Sequence, residues 1–79
     1  MENNQPDYEY IRNALSYRYF VVILVEGQGE RIHCGNEYKE DALDALKECR
    51  EIHPEAKIKT RKTVGGEALR AFYVSALSV

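Results

Sequence analysis

The chain has 79 residues, a net charge of −2, and 44% apolar and 30% charged residues. That balance fits one ordinary globular domain with a thin core; it argues against global disorder and leaves little room for a deep substrate cavity. No apolar run approaches the roughly 20 residues of a membrane span. The polar, acidic N-terminus does not read as a signal peptide, and two cysteines without one fit a reducing, cytoplasmic setting with free thiols.

Residues 1–16 form an N-terminal arm or a short helix, ahead of a single α+β domain over 17–79. Pro6 suits a first helical position, Asp7 and Glu9 suit the positive end of a helix dipole, and Tyr8, Ile11 and Leu15 fall at helical spacing. The other reading is an extended arm whose tyrosines dock on a neighbour.

Tyr17 to Glu26 organises the rest. It is aromatic and β-branched, and apolar on both parities: Phe20, Val22 and Leu24 on one, Tyr19, Val21, Ile23 and Val25 on the other. A strand of that kind is central and covered on both sides, or on one side plus a partner. Gly27-Gln28-Gly29 is a hairpin turn, where glycine supplies positive φ. Arg31 to Cys34 returns as a short strand, with Ile32 and Cys34 on one face and Arg31 and His33 on the other. Gly35-Asn36 ends it, and Asn36 suits the cap of the next element.

Glu37 to His53 is the clearest helix. Tyr38, Ala42, Ala45, Leu46, Cys49 and Ile52 gather on one side as its buried stripe, and Pro54 closes it. Glu55 to Val64 alternates as a strand, with Ala56, Ile58, Thr60 and Val64 inward and Lys57, Lys59, Arg61 and Thr63 outward. Gly65-Gly66 reads as a second hairpin turn and Leu69 to Leu77 as a last strand. Leu69, Phe72, Tyr73, Ala76 and Leu77 fit helical spacing too, but the glycine pair and the aromatic, β-branched centre favour strand. The expected fold is (α)ββαββ: a four-stranded, mostly antiparallel sheet with one main helix on one face.

No motif names a reaction. His33, Cys34, Cys49 and His53 are zinc-ligand types, but the close cysteine pair of a closed site is missing and adjacent strand residues point to opposite faces, so no metal is expected. Cys34 lies near a glycine turn before a helix, where a thiolate is favoured. There is no oxyanion hole in view, and the expectation is a non-enzyme with no cofactor. Neither glycine pair forms a dinucleotide fingerprint, and each is followed by a glutamate that would repel phosphate.

Charge layout is the informative feature. Residues 37–55 carry seven acids and three bases; residues 56–70 carry one acid and five bases. On a helical wheel Glu37, Glu40, Asp41, Asp44, Glu48 and Glu51 share a sector of about 100°. Glu37/Asp41, Glu40/Asp44 and Asp44/Glu48 are like-charge i,i+4 neighbours, each costing a few tenths of a kcal/mol. The plain explanation is a solvated outer face. The functional one is an anionic ridge, with Tyr38 beside it, that occupies a basic, even nucleic-acid-binding, surface of a partner protein. Small stand-alone regulators or inhibitors carried by phages and other mobile elements look like this in size and charge, by analogy alone.

The alternative is a nucleic-acid-binding module using Lys57, Lys59, Arg61 and Lys62. No aromatic interleaves with those cations, although Tyr19 or Tyr73 from a neighbouring strand could supply stacking. A third reading is a homo-oligomer pairing acidic helix with basic strand head to tail. Six tyrosines and no tryptophan fit either an interface or the rim of a small core.

Overall fold

The structure, a computed structural model, describes residues 15–77, with side chains through Ser75. Most of the expected N-terminal arm or helix, including Tyr8 and Tyr10, lies outside the described residues. Among the described residues, from Tyr19 onward, the elements run β1 (Tyr19–Val25), β2 (Gly29–Asn36), α1 (Lys39–Cys49), β3 (Lys57–Thr60) and α2 (Gly66–Leu77). They make a small α+β unit with a three-stranded antiparallel sheet in the order β2-β1-β3. No helix among the described residues is long and apolar enough to cross a membrane.

β1 is central, as its two apolar parities require. Phe20 and Val21 are fully buried on opposite faces, and Val22 nearly so. Phe20 and Val22 pack with Val64 and Ala68, joined by Tyr17, Ile32, Leu69 and Phe72. Val21 packs with Cys49 and Ala56, joined by Ile23, Cys34, Ala45, Leu46 and Ile58. Each face therefore has its own helix, α2 on the first and α1 on the second, where the sequence reading placed one helix on one face. Full burial of Phe20 or Val21 is worth about 1.5–3 kcal/mol. β2 and β3 are both antiparallel to β1 and so run parallel to each other. The chain must cross β1 to join them, and α1 makes that crossing over Val21.

The fourth strand is replaced by α2. Among the described residues only Gly27 and Gly29 have positive φ, at 81° and 79°, so Gly65-Gly66 is no left-handed hairpin turn. Gly65 instead gives its N–H to Glu30 Oε1 at 2.9 Å, and Glu67 stands in the first turn of α2, where the dipole favours an anion. Ala68 and Phe72, one helical turn apart, then cover Phe20; the Phe20 and Phe72 rings meet edge to face at 6.0 Å. The uncovered face of β1 needed this lid, and only helical spacing brings Ala68, Leu69 and Phe72 to it together.

Boundaries moved for local reasons. β2 runs through Gly35 and Asn36, because Asn36 pairs with Tyr19 and accepts the Arg18 N–H at 3.0 Å. Gly35 is therefore no strand breaker: a Cβ there would overlap the Tyr17 ring, so packing demands the glycine. Asn36 is not the helix cap either; Tyr38 holds that position without a side-chain cap bond, and α1 starts at Lys39. At the other end Glu51 and Ile52 bond back only three residues, to Glu48 and Cys49, so the helix loosens into a turn before Pro54. β3 is four residues long. Thr63 Oγ1 accepts the Thr60 N–H at 2.8 Å and turns the chain there, ending the expected strand early. The Gly27 turn is as expected, closed by Gln28 N–H to the Val25 carbonyl at 2.9 Å.

Candidate functional site

Four of the six ridge acids, Glu40, Asp41, Asp44 and Glu48, stand on α1 itself; Glu37 precedes it in a bend and Glu51 follows in a turn. All six are exposed. From Glu40 to Glu48 they climb about 12 Å at the α-helical rise. Glu40 and Asp41 lie in the first turn, where the helix dipole offsets part of their repulsion. Glu40/Asp44 and Asp44/Glu48 are true i,i+4 neighbours, whereas Glu37/Asp41 is not, because Glu37 is outside the helix. The ion pairs among the described residues are Arg31–Glu67 at 3.9 Å, His53–Glu55 at 3.7 Å and Lys59–Glu30 at 2.5 Å. None takes a ridge carboxylate.

Two members of the supposed buried stripe lie outside the core. Tyr38 is 64% and Ile52 79% exposed, because the helix neither begins early enough nor ends late enough to turn them inward. Leu43 is exposed as well. The acidic side of the molecule thus carries large apolar side chains at its borders, a feature the wheel hid by assigning Tyr38 and Ile52 to the core.

Beside Glu48 is a shallow cleft of about 210 Å³ lined by His33, Cys34, Cys49, Ile52 and His53 among others. The β1–β2 register slips between Val21 and Val22, which face Cys34 and Ile32 and leave His33 as an extra residue. This bulge lets His33 and Cys34 line one cleft, against the alternation expected of adjacent strand residues. The His33 and His53 rings stand 6.1 Å apart. Among the described residues no three His, Cys, Asp or Glu side chains are placed to hold a metal ion. Burial pushes the Cys34 thiol up, opposed by a weak Asn36 amide contact at 3.9 Å, and burial pushes Cys49 up as well. The expected thiolate-favouring setting of Cys34 is therefore reversed: it sits within β2, facing the α1 side of the core, and not at a helix N-terminus.

The four cations of the alternative site do not form one face. Lys57 and Lys59 pair with Val22 and Phe20 and so share the α2 side of the sheet. Lys59 reaches across β1 to Glu30, whose carboxyl is held below its ordinary range by that bond, and by the Gly65 N–H after it. Arg61 donates from Nε to the Tyr17 carbonyl at 2.8 Å and from Nη2 to the Leu15 carbonyl. Arg61 and Lys62 lie beyond β3 in the turn. There they share an open cleft of about 320 Å³ with Arg18, Tyr19 and Thr60. Sequence reasoning missed Glu30, since register across three strands cannot be read locally. It also missed Arg18, although Arg18 stands next to Tyr19, already marked as a stacking candidate.

Comparison with protein-family models, with curated proteins and with solved structures finds no match to this chain.

Proposed function

We propose that this chain is a non-enzymatic, protein-binding regulator or inhibitor that lays the acidic side of α1 on a basic surface of a partner protein. The observation that carries the reading is the run of six exposed carboxylates, Glu37, Glu40, Asp41, Asp44, Glu48 and Glu51, none matched by a cation among the described residues. Two of their helical pairings cost stability, and a folded chain of this size has little to spare. A basic partner removes that cost on binding, so the repulsion in the free protein becomes part of the driving force.

Tyr38, Leu43 and Ile52 at the borders of the ridge support the same reading. Exposed tyrosine and aliphatic side chains supply the desolvated contact area that charges alone do not. The ridge would set approach and orientation, since charge complementarity acts mainly on the association rate and on specificity.

The test compares two baits in a pull-down from the native host: the wild-type chain and Asp44→Lys/Glu48→Lys/Glu51→Lys. The proposal expects a partner retained by the first at physiological salt and lost by the second, with the fold of the variant verified by circular dichroism. Equal retention of every captured protein by the two baits would remove the ridge as the contact.

A further inference from the structure

The open cleft formed by Arg18, Tyr19, Thr60, Arg61 and Lys62 lies apart from the acidic side; it keeps Arg61 and Lys62 of the cation set read from the sequence, drops Lys57 and Lys59, and adds Arg18. It is built where the sheet ends. Tyr19, the first residue of β1, pairs with Thr60, the last of β3. Arg18 stands just before the one and Arg61-Lys62 just after the other. The Thr60–Thr63 turn is fixed by Thr60 N–H to Thr63 Oγ1 at 2.8 Å and by Val64 N–H to the Thr60 carbonyl at 2.8 Å. Arg61 is anchored to two carbonyls of the segment before β1, which neutralise none of its charge. Arg18 and Lys62 are exposed and in no ion pair among the described residues. The nearby carboxylate is Glu37, which lines an adjoining cleft with Arg18 and Arg61 but pairs with neither.

Three cationic residues and a half-buried tyrosine therefore line one cleft, largely with their carbon atoms, in a volume at the lower end of small-molecule sites. An apolar floor with a tyrosine suits a flat ring, and exposed cationic residues along the same cleft suit an anion carried next to it. Phosphate and ring side by side describe one unit of a nucleic acid. We infer that this cleft seats a nucleotide of a single-stranded nucleic acid, with its phosphate on Arg18 and Lys62 and its base against Tyr19. A duplex does not fit that description, because its bases are stacked on each other and unavailable to a side-chain ring. The cleft is shallow and open to solvent, which suits a strand passing through it better than an enclosed free mononucleotide. The inference does not rest on the acidic face, and either can fail alone.

The experiment is fluorescence anisotropy of the whole chain with labelled 12-nucleotide dT and rU strands, the matching duplex, and unlabelled mononucleotide and inorganic phosphate as competitors. Two phosphate contacts give a slope of log K against log salt of about −1.4 on a single strand, which is about a sevenfold loss of affinity between 50 and 200 mM salt. Arg18→Gln and Lys62→Gln, both at exposed positions, should each flatten the slope by about 0.7. Tyr19→Leu should weaken binding about tenfold with the slope unchanged; Tyr19→Phe, which keeps the ring, should bind as the wild type does and serves if the leucine variant does not fold. The inference is overturned by no binding at 50 mM salt, by equal affinity for the duplex, or by binding that survives Arg18→Gln/Lys62→Gln and is lost with Lys57→Gln. Inorganic phosphate or a mononucleotide competing as strongly as the strand would overturn it too.

Discussion

Asp44 sits at the centre of the ridge, and its replacement by lysine should make the free protein more stable. In α1 it faces Glu40 four residues before and Glu48 four residues after, all exposed and none in an ion pair among the described residues. Each like-charge pair costs about 0.2–0.5 kcal/mol, and each opposite-charge pair returns a similar amount. Asp44→Lys converts both pairs, and lysine is also the better helix former. Position 44 is mid-helix, so the dipole adds little. The expected gain is about 1 kcal/mol, or about 4–8 °C in Tm for a domain of this size. Asp44→Gln, which only removes the repulsion, should give about half. Thermal melts followed by circular dichroism at 10 mM and 1 M salt are the assay. The lysine advantage should shrink sharply at 1 M, where the Debye length is about 3 Å. If Asp44→Lys melts no higher than wild type at low salt, or its gain is indifferent to salt, the carboxylates do not repel one another. The premise that they await a positive partner then fails.

Glu30 ties Lys59 to the start of α2, so Glu30→Gln should lose about 1.5 kcal/mol in urea unfolding at pH 7. Because the folded-state pKa of Glu30 lies below its ordinary 4.5, this contribution is complete above that value and fades as pH falls through the lower one. The gap between wild type and variant should therefore close in acid, and a gap constant down to pH 2 would contradict the assignment. Gly35→Ala should cost about 1–3 kcal/mol by driving a Cβ into the Tyr17 ring; the cost should largely vanish in a Tyr17→Ala background, and additive losses would show that the contact is not the cause. Ala71 is exposed in mid-α2, so Ala71→Pro should cost about 3 kcal/mol or more while Ala71→Lys is nearly neutral. A proline tolerated there would favour the edge strand over the helix.

What could be read from the residues was whatever depends on a short run. The two-sided apolar pattern of Phe20 to Val25 led to a central strand, though not to a helix on each of its faces, and Gly27 to its turn. Ala42, Ala45, Leu46 and Cys49 led to the inward side of α1. What could not be read depended on distant neighbours. Leu69, Phe72 and Tyr73 fit either spacing, local composition favours strand, and only the uncovered Phe20 and Val22 decide for the helix. Gly35 looks like a breaker until Tyr17 lies across it. Counting by twos through His33 and Cys34 misses the extra residue opposite Val21 and Val22. Tyr38 and Ile52 sit at helical phase but beyond the helix. The pairing of Lys59 with Glu30 requires a register spanning all three strands, and the meeting of Arg18 and Tyr19 with Lys62 requires knowing that β1 and β3 end together.

The acidic-face account is tested most directly by amide chemical-shift mapping of the isotope-labelled chain titrated with the partner that the paired pull-down recovers. The account predicts the largest changes at residues 37–51 and at Ile52, weakening as salt is raised, with Lys57 and Lys59 on the opposite side of the sheet unmoved. Changes centred on β3 or α2, with residues 37–51 left where they were, would contradict it.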